Sequence, residues 1–239
     1  MTTQVNCACV IHGDLYSWQY VENLYAMLCR HLSYDVKLHV FTEANRSVPN
    51  HMIKHSLQEW PGISGRKKAW WYKLQLFNPE LLSGPVLYFD LDTVIVDNID
   101  WLVQLDLQYF WSIRDFRYLW RPNWQGLNSS VMYWNQEKFY WIWDQFTKHN
   151  VSEVASKYHG DQDFLTSLLD KSQLRFIDES YVKSWRWQIK DGGLNTGTRE
   201  YLRPNAGSIV PTNTKIVIFH GSPKPHELKD ALILKNWTK

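Results

Sequence analysis

A single α/β domain is what this sequence predicts, on three observations. Residues 1–41 run as an apolar stretch, an amphipathic stretch and a second apolar stretch, the strand–helix–strand opening of a nucleotide-binding unit. Two later apolar runs end abruptly in polar side chains, at Asp90 and at His220, as strands do that carry groups to the edge of an open sheet. With 239 residues, 44% of them hydrophobic and 21% charged, the chain has the size and composition to bury one full core.

Residues 5–11 (VNCACVI) are too short a run for a helix and read as a buried strand, with Cys7 and Cys9 as small core residues. His12-Gly13-Asp14 then makes a turn, with Asp14 as the expected helix N-cap. Over 15–32, Trp18, Val21, Leu24, Tyr25, Leu28 and Leu32 recur at helical spacing and define one buried face. Residues 36–41 (VKLHVF) form a second strand and 52–57 a weaker third. The chain lacks a Gly-x-Gly-x-x-Gly fingerprint, which argues against a dinucleotide site of the usual kind. After a break at 61–65, Arg66-Lys67-Lys68 is expected to open a helix through Phe77, with Trp70, Trp71, Leu74 and Phe77 on its buried stripe. Lys73 stands apart on that segment. It comes just ahead of the strand that carries Asp90, where it could reach an anionic ligand.

The stretch 86–98 (VLYFDLDTVIVDN) concentrates the chemistry. Apolar and aromatic residues lead into Asp90 and Asp92, which at i and i+2 are expected to share one face of a strand. Carboxylates are seldom buried without a partner, so a cation is expected, and oxygen ligands suit Mg²⁺ or Mn²⁺. The plainer alternative is that an Asp at a strand end only caps the next turn. Asp97-Asn98-Ile99-Asp100 then caps a short helix through Leu105. Further strands are expected at 109–113, 128–135, 174–177 and 216–219, and a helix at 137–148. Gly160-Asp161-Gln162-Asp163 opens another helix, whose acidic first turn complements the helix dipole. Residues 120–126 (WRPNWQG) are a loop, and 190–208 is the one long turn-rich stretch, expected as a mobile loop over the site. The final strand ends in His220-Gly221-Ser222-Pro223-Lys224-Pro225.

Composition narrows the function classes. A formal charge of +2 is too mild for a nucleic-acid scaffold, so no nucleic-acid partner is expected. Cys7, Cys9 and Cys29 form no paired framework, which points to a reducing, cytoplasmic compartment. With no charged-then-apolar leader, acylation motif or apolar run of about 18 residues, neither secretion nor a transmembrane segment is expected. The 14 Trp and 13 Tyr include side chains able to stack on sugars or bases, although most belong in a core.

The ordered set LYFDLDTVIVDNI, LNSSVMYWN, GDQDFL and IVIFHGSPKP resembles the glycogenin and bacterial galactosyltransferase group of nucleotide-sugar glycosyltransferases. Element order matches over nearly the whole chain. The resemblance implies a GT-A, Rossmann-like fold in one domain, with a mixed, mainly parallel sheet flanked by helices. Its nucleotide-binding half would span about 1–105 and its sugar- and acceptor-binding half about 106–239. It implies Mn²⁺ (or Mg²⁺) held by Asp90, Asp92 and His220, with Lys224 and Lys73 neutralising the donor's diphosphate. Gly221 directly follows His220, whereas the family motif places one residue between them. Asn128 takes the place of a donor-sugar contact, and Ser129-Ser130 replace the family's usual small pair. Asp161 and Gln162 match the pair at the sugar's reacting face. Ile11, His12 and Tyr16 occupy the nucleoside region. The implied reaction moves a sugar from a nucleotide sugar, with UDP expected, to a hydroxyl of a glycan, lipid-linked or protein acceptor. Retention is expected; with inversion, Asp161 or Asp163 becomes the candidate base.

Two other readings share these residues. An apolar strand ending Asp-x-Asp-Thr-Val also resembles the first motif of haloacid-dehalogenase-type phosphatases, with Asp90 as nucleophile. Against that, the motif normally opens its domain, whereas here 89 residues precede it. A non-catalytic sugar-binding protein built on exposed aromatics is the second alternative.

Overall fold

A computed structural model of the protein describes residues 4–63 and 69–239. The chain opens as its periodicity predicts, with β1 (Gln4–Val10), α1 (Gln19–His31), β2 (Asp35–Thr42) and β3 (Ile53–Ser56). α1 buries Tyr20, Val21, Leu24, Met27 and Leu28 along one face, and Arg30 and His31 in its last turn complement the dipole. It starts four residues later than expected. Trp18 occupies the cap position without a side-chain cap bond, so Asp14 does not take that role. The residues before it turn at Gly13 (φ +66°) and cross the ends of the strands instead of coiling.

The segment expected as an α-helix through Phe77 is a 3₁₀ helix over Ala69–Phe77, and Arg66-Lys67-Lys68 lie outside the described residues. Trp71, Tyr72, Leu74, Gln75, Leu76 and Phe77 are all buried, so the segment is enclosed nearly all round and tertiary packing dictates its conformation. β4 (Pro85–Phe89) and β5 (Thr93–Ile95) follow. Asp90 and Asp92 are therefore not on a strand face. They occupy the turn between β4 and β5, where Thr93 N–H donates to the Asp90 carbonyl (3.1 Å). A short 3₁₀ helix (Asp100–Gln104), β6 (Phe110–Arg114) and β7 (Leu127–Asn135) come next. The helix expected at 137–148 is two: α2 (Gln136–Phe139) and α3 (Trp141–Thr147). They part where Trp143 N–H bonds three residues back to the Tyr140 carbonyl (2.8 Å), tightening the turn. α4 (Val151–Lys157), α5 (Asp161–Leu168), β8 (Leu174–Phe176), β9 (Val182–Ser184), β10 (Ile216–Ile218) and α6 (Ala231–Asn236) complete the chain.

The main sheet has seven strands in the order β3-β2-β1-β4-β7-β6-β8. β1, β2, β3 and β4 are parallel neighbours, and β8 is parallel to β6, while β7 runs antiparallel to both β4 and β6. The sheet is thus mixed and mainly parallel, as expected. The chain leaves β1 in one direction to reach β2 and returns on the other side as β4. Open α/β sheets bind ligands at such a switch point, outside the carboxyl ends of the strands. Because β7 is antiparallel, its first residues lie at that same end, where Asp90 N–H donates to the Ser130 carbonyl (2.8 Å). A second sheet, β5-β10-β9, begins where the chain leaves β4. β10 pairs antiparallel with β5, Ile218 opposite Thr93, which carries His220 to the Asp90–Asp92 turn.

Strand alternation divides the core in two. Cys7, Cys9, Leu87, Phe89, Val131 and Tyr133 pack with α1, and Ala8, Val86, Tyr88, Met132 and Trp134 pack with the Ala69–Phe77 helix and α3. On the outer strands, His39 Nδ1 lies 2.8 Å from His55 Nε2 and its Nε2 is 3.3 Å from Asn6 Oδ1. Burial, then the charges of His55 and Lys37, draw the His39 imidazole down to about 4. Between that value and the ordinary 6.5 the unfolded chain binds the extra proton, so stability falls as pH drops through this window. Urea titrations at pH 7 and pH 4.5 should show His39→Gln losing less stability on acidification than the wild type, by on the order of 2 kcal/mol.

Candidate active site

A cavity of about 400 Å³ opens at the switch point. Three strand ends and one helix start build its floor. β1 runs into Val10 and His12, β4 into Asp90 and Asp92, β7 begins with Asn128, Ser129 and Ser130, and α5 begins at Asp161. The turn after β10 supplies Phe219, His220, Gly221 and Lys224.

Charge pairing organises the floor. Lys73 Nζ lies 2.8 Å from Asp90 Oδ1 and 3.5 Å from Asp161 Oδ2, and donates to Ser129 Oγ (3.0 Å). Ser129 Oγ in turn donates to Asp161 Oδ2 (2.5 Å). Burial works against the Lys73 ammonium, but the carboxylates of Asp161 and Asp90 outweigh it and hold its pKa above the ordinary lysine value. The Tyr88 hydroxyl donates to Asp90 Oδ1 (2.7 Å). Asp92 Oδ2 accepts from the Tyr16 hydroxyl (2.8 Å) and from Lys224 Nζ. Burial raises the carboxyls of Asp92 and Asp161, against the pull of Lys224 on the first and Lys73 on the second. Three buried or part-buried carboxylates thus face two lysines, an excess of one negative charge.

His220 sits beside this group. Its Nε2 hydrogen-bonds Ser184 Oγ (2.7 Å), and its ring lies between Phe116 (5.5 Å) and Trp187 (4.2 Å). Burial, then Arg186 and Lys224, draw the imidazole down to about 4, so it is neutral at neutral pH. Among the described residues, no three His, Cys, Asp or Glu side chains cluster closely enough to hold a metal ion. Asp90 Oδ2 and Asp92 Oδ1 accept no hydrogen bond from a described residue, and such hard oxygen ligands are the kind that suit a divalent cation, whereas His220 Nε2 is already bonded to Ser184.

All the site residues expected from sequence line this cavity except Ile11. Ile11 is 1% exposed and buried in the core with Cys7 and Cys9, because it continues their side of β1. Asp163 does not line the cavity either, since two residues along a helix from Asp161 it points to another side. His12 stacks on Tyr72 (4.2 Å) with its Nε2 3.1 Å from Glu59 Oε1. Asn128 Oδ1 accepts from Ser130 N–H (2.9 Å), and its amide nitrogen has no partner among the described residues. Gln162 makes no side-chain hydrogen bond to a described residue. The 190–208 stretch contributes nothing to the lining. It closes on itself through Lys190↔Ser208 and Leu194↔Tyr201 bridges and through Gly207 N–H donating to Asp191 Oδ1 (3.0 Å), so it is an excursion away from the cavity. Tyr88 and His159 line the cavity without having been singled out in the sequence, and Trp70, expected on the buried stripe of its helix, is half-buried and faces the cavity instead. Tyr88 was legible, being two residues before Asp90 on the same strand.

No protein-family model matches the chain, and no curated protein matches it in sequence. Solved structures do match in shape. The galactosyltransferase LgtC, crystallised with donor and acceptor sugar analogues, aligns over 98% of this chain and 97% of its own at a TM-score of 0.65 and 16% identity. This chain has the GT-A glycosyltransferase fold. Mouse xyloside xylosyltransferase 1 aligns over 92% of the GT-A chain described here and 98% of its own, at a TM-score of 0.53 and 16% identity. The glycosyltransferase GlyE of Streptococcus pneumoniae TIGR4 aligns over 74% of this chain, which spans 46% of GlyE, at a TM-score of 0.56 and 19% identity.

Within this GT-A fold the Lys73 ion pairs are structural as well as chemical. Lys73→Met removes the only cation within salt-bridge distance of Asp90 and Asp161 among the described residues. It should lower the unfolding free energy by about 3 kcal/mol at pH 7, measured by urea denaturation. Lowering the pH to 5 should return part of that loss, because the stranded carboxyls can then take up protons.

Proposed function

We propose that the protein is a metal-dependent glycosyltransferase that moves a sugar from a nucleotide sugar, UDP-linked, to an acceptor hydroxyl with retention of configuration. One observation carries the reading. Asp90, Asp92, Lys73, Asn128, Asp161, His220 and Lys224, scattered over half the sequence, line one cavity at the switch point of a GT-A fold. The neighbours of that fold are glycosyltransferases.

The chemistry follows from the charges. Breaking the bond between the anomeric carbon and a diphosphate oxygen needs the departing negative charge to be met. Mn²⁺ (or Mg²⁺) held by Asp90, Asp92 and His220 supplies that neutralisation when bound. Lys224 bonds Asp92 through Oδ2 and leaves Oδ1 open, so its ammonium stays beside the carboxylate, where the diphosphate would bind. Lys73 stays with Asp90 and Asp161 and keeps positive charge beside the sugar. Asn128 offers its amide nitrogen to a sugar hydroxyl, and Asp161 and Gln162 stand at the reacting face. His12 and Tyr16 flank the nucleoside. Retention is supported by the state of the carboxylates. Asp161, which an inverting reaction would need as base, already accepts from Ser129 and pairs with Lys73, and Asp163 is outside the cavity. No described helix is long and apolar enough to cross a membrane, and the acceptor's class is open to a glycan, a lipid-linked sugar or a protein.

The deciding experiment is a donor screen. Nucleotide release from a panel of nucleotide sugars with Mn²⁺ should show turnover for at least one donor, and chelation should abolish it. By calorimetry, Asp92→Asn and His220→Ala should each weaken metal-dependent UDP binding at least about tenfold. Full metal-dependent binding in both variants would remove the site assignment. Turnover of p-nitrophenyl phosphate that Asp90→Asn abolishes, with no nucleotide-sugar release, would make the protein a phosphatase. Binding of free glycan without nucleotide or metal would make it a lectin.

A further inference from the structure

Trp70 is out of keeping with the helix that carries it. Along Ala69–Phe77, Trp71, Tyr72 and Phe77 are buried in the core, whereas Trp70 is half-buried and lines the cavity. Its position is built. The indole lies against Gly160, where a Cβ would fall 3.1 Å from Trp70 Nε1 and 3.3 Å from Cδ1, so any larger residue would push the ring back by a few tenths of an ångström. The ring of His159, the residue before that glycine, is nearly parallel to the indole, 9° apart with centroids at 6.2 Å. The indole N–H is covered and has no hydrogen-bond partner among the described residues. What Trp70 presents to the cavity is therefore apolar ring surface.

The residue after Gly160 is Asp161, followed by Gln162, and both line the cavity beside Lys73. An apolar aromatic wall with carboxylate, amide and ammonium at its edge matches one kind of ligand. A pyranose has a face of C–H groups that stacks on a ring and a rim of hydroxyls that needs polar partners. An aliphatic ligand would leave the polar edge unpaired. A bare diphosphate would gain nothing from the indole.

We propose that Trp70, seated on Gly160 and parallel to His159, is the stacking wall for the apolar face of the transferred sugar and a determinant of which donor is accepted. The inference rests on the glycosyltransferase reading. It adds a residue to the donor site that no motif in the sequence marks.

The test compares a sugar nucleotide with its bare nucleotide. Calorimetry with Mn²⁺ would use the best donor from the screen and the corresponding nucleoside diphosphate, on wild type, Trp70→Ala, Trp70→Phe and Gly160→Ala, with thermal melts confirming that each is folded. Trp70→Ala should weaken the sugar nucleotide about 5- to 10-fold while the bare nucleotide changes by less than about twofold. Trp70→Phe, which keeps a ring, should restore most of that loss. Gly160→Ala, which shifts an intact indole by a few tenths of an ångström, should weaken the sugar nucleotide in the same direction but by less than Trp70→Ala. Equal losses for nucleotide and sugar nucleotide would assign Trp70 to the base or to the fold and overturn the inference. So would unchanged donor affinity with a raised KM for acceptor alone. A wild type that binds no nucleotide sugar would instead overturn the glycosyltransferase reading itself.

Discussion

The Lys73 ammonium, shared between Asp90 and Asp161, is the interaction on which the rest of the site depends. Lys73 comes from the 3₁₀ helix on one side of the sheet, Asp90 from the end of β4 and Asp161 from the first turn of α5. Ser129, from the start of β7, accepts from the lysine and donates to Asp161, closing the arrangement. Four separate elements are thereby held in register by groups that could not be buried singly. The same arrangement is chemically unfinished. With Asp92 included, the carboxylates on this floor outnumber the lysines that pair with them.

The second sheet explains how the C-terminal groups reach this floor. Once the chain turns at Asp90–Asp92 it has left the main sheet, and β5 is free to pair with a strand from far along the sequence. β10 takes that place, with β9 on its far side. His220 and Lys224 follow from where β10 stops, and Ser184 at the end of β9 orients the imidazole. Neither sheet would make a site alone. The main sheet provides carboxylates and the polar groups of Asn128 and Ser129, and the smaller one leads to the imidazole and the second lysine.

Much of this was legible in the sequence, and the misses have physical reasons. Asp90 and His220 stand out because each ends an apolar run in a polar side chain, Asp92 follows Asp90 by two residues, and Asp161 stands out as the acidic start of a helix. Ile11 was misplaced although period-two alternation already told against it: Cys7, Cys9 and Ile11 share one side of β1, while Val10 and His12 share the side that lines the cavity. The helix caps at Asn150 and Asp230, which accept from Ser152 (2.9 Å) and Leu232 (3.0 Å), were signals in plain view that α4 and α6 begin there. Other features left no local trace. The Ala69–Phe77 segment is buried nearly all round, so no periodicity separates 3₁₀ from α. β9 is three residues long and depends wholly on its neighbour in the sheet. The turn-rich 190–208 stretch has the composition of a loop whether it folds over a cavity or away from one. Only its internal pairing decides the matter.

The aromatic abundance is resolved by the same reasoning about surroundings. Trp71 and Trp134 fill the core beside the sheet, and Trp185 stacks on Phe219 (5.2 Å) beneath the β10 turn. Trp120 and Trp187 meet edge to face at 4.4 Å, and Trp187 in turn supports His220. These rings hold the site in position from outside it. Trp70 differs because it lines the cavity itself and packs on a glycine, next to the residues that carry the charge. A tryptophan count cannot distinguish those roles. The distinction is made by what each ring rests on, and Trp70 rests on the residue that starts the Asp161 helix.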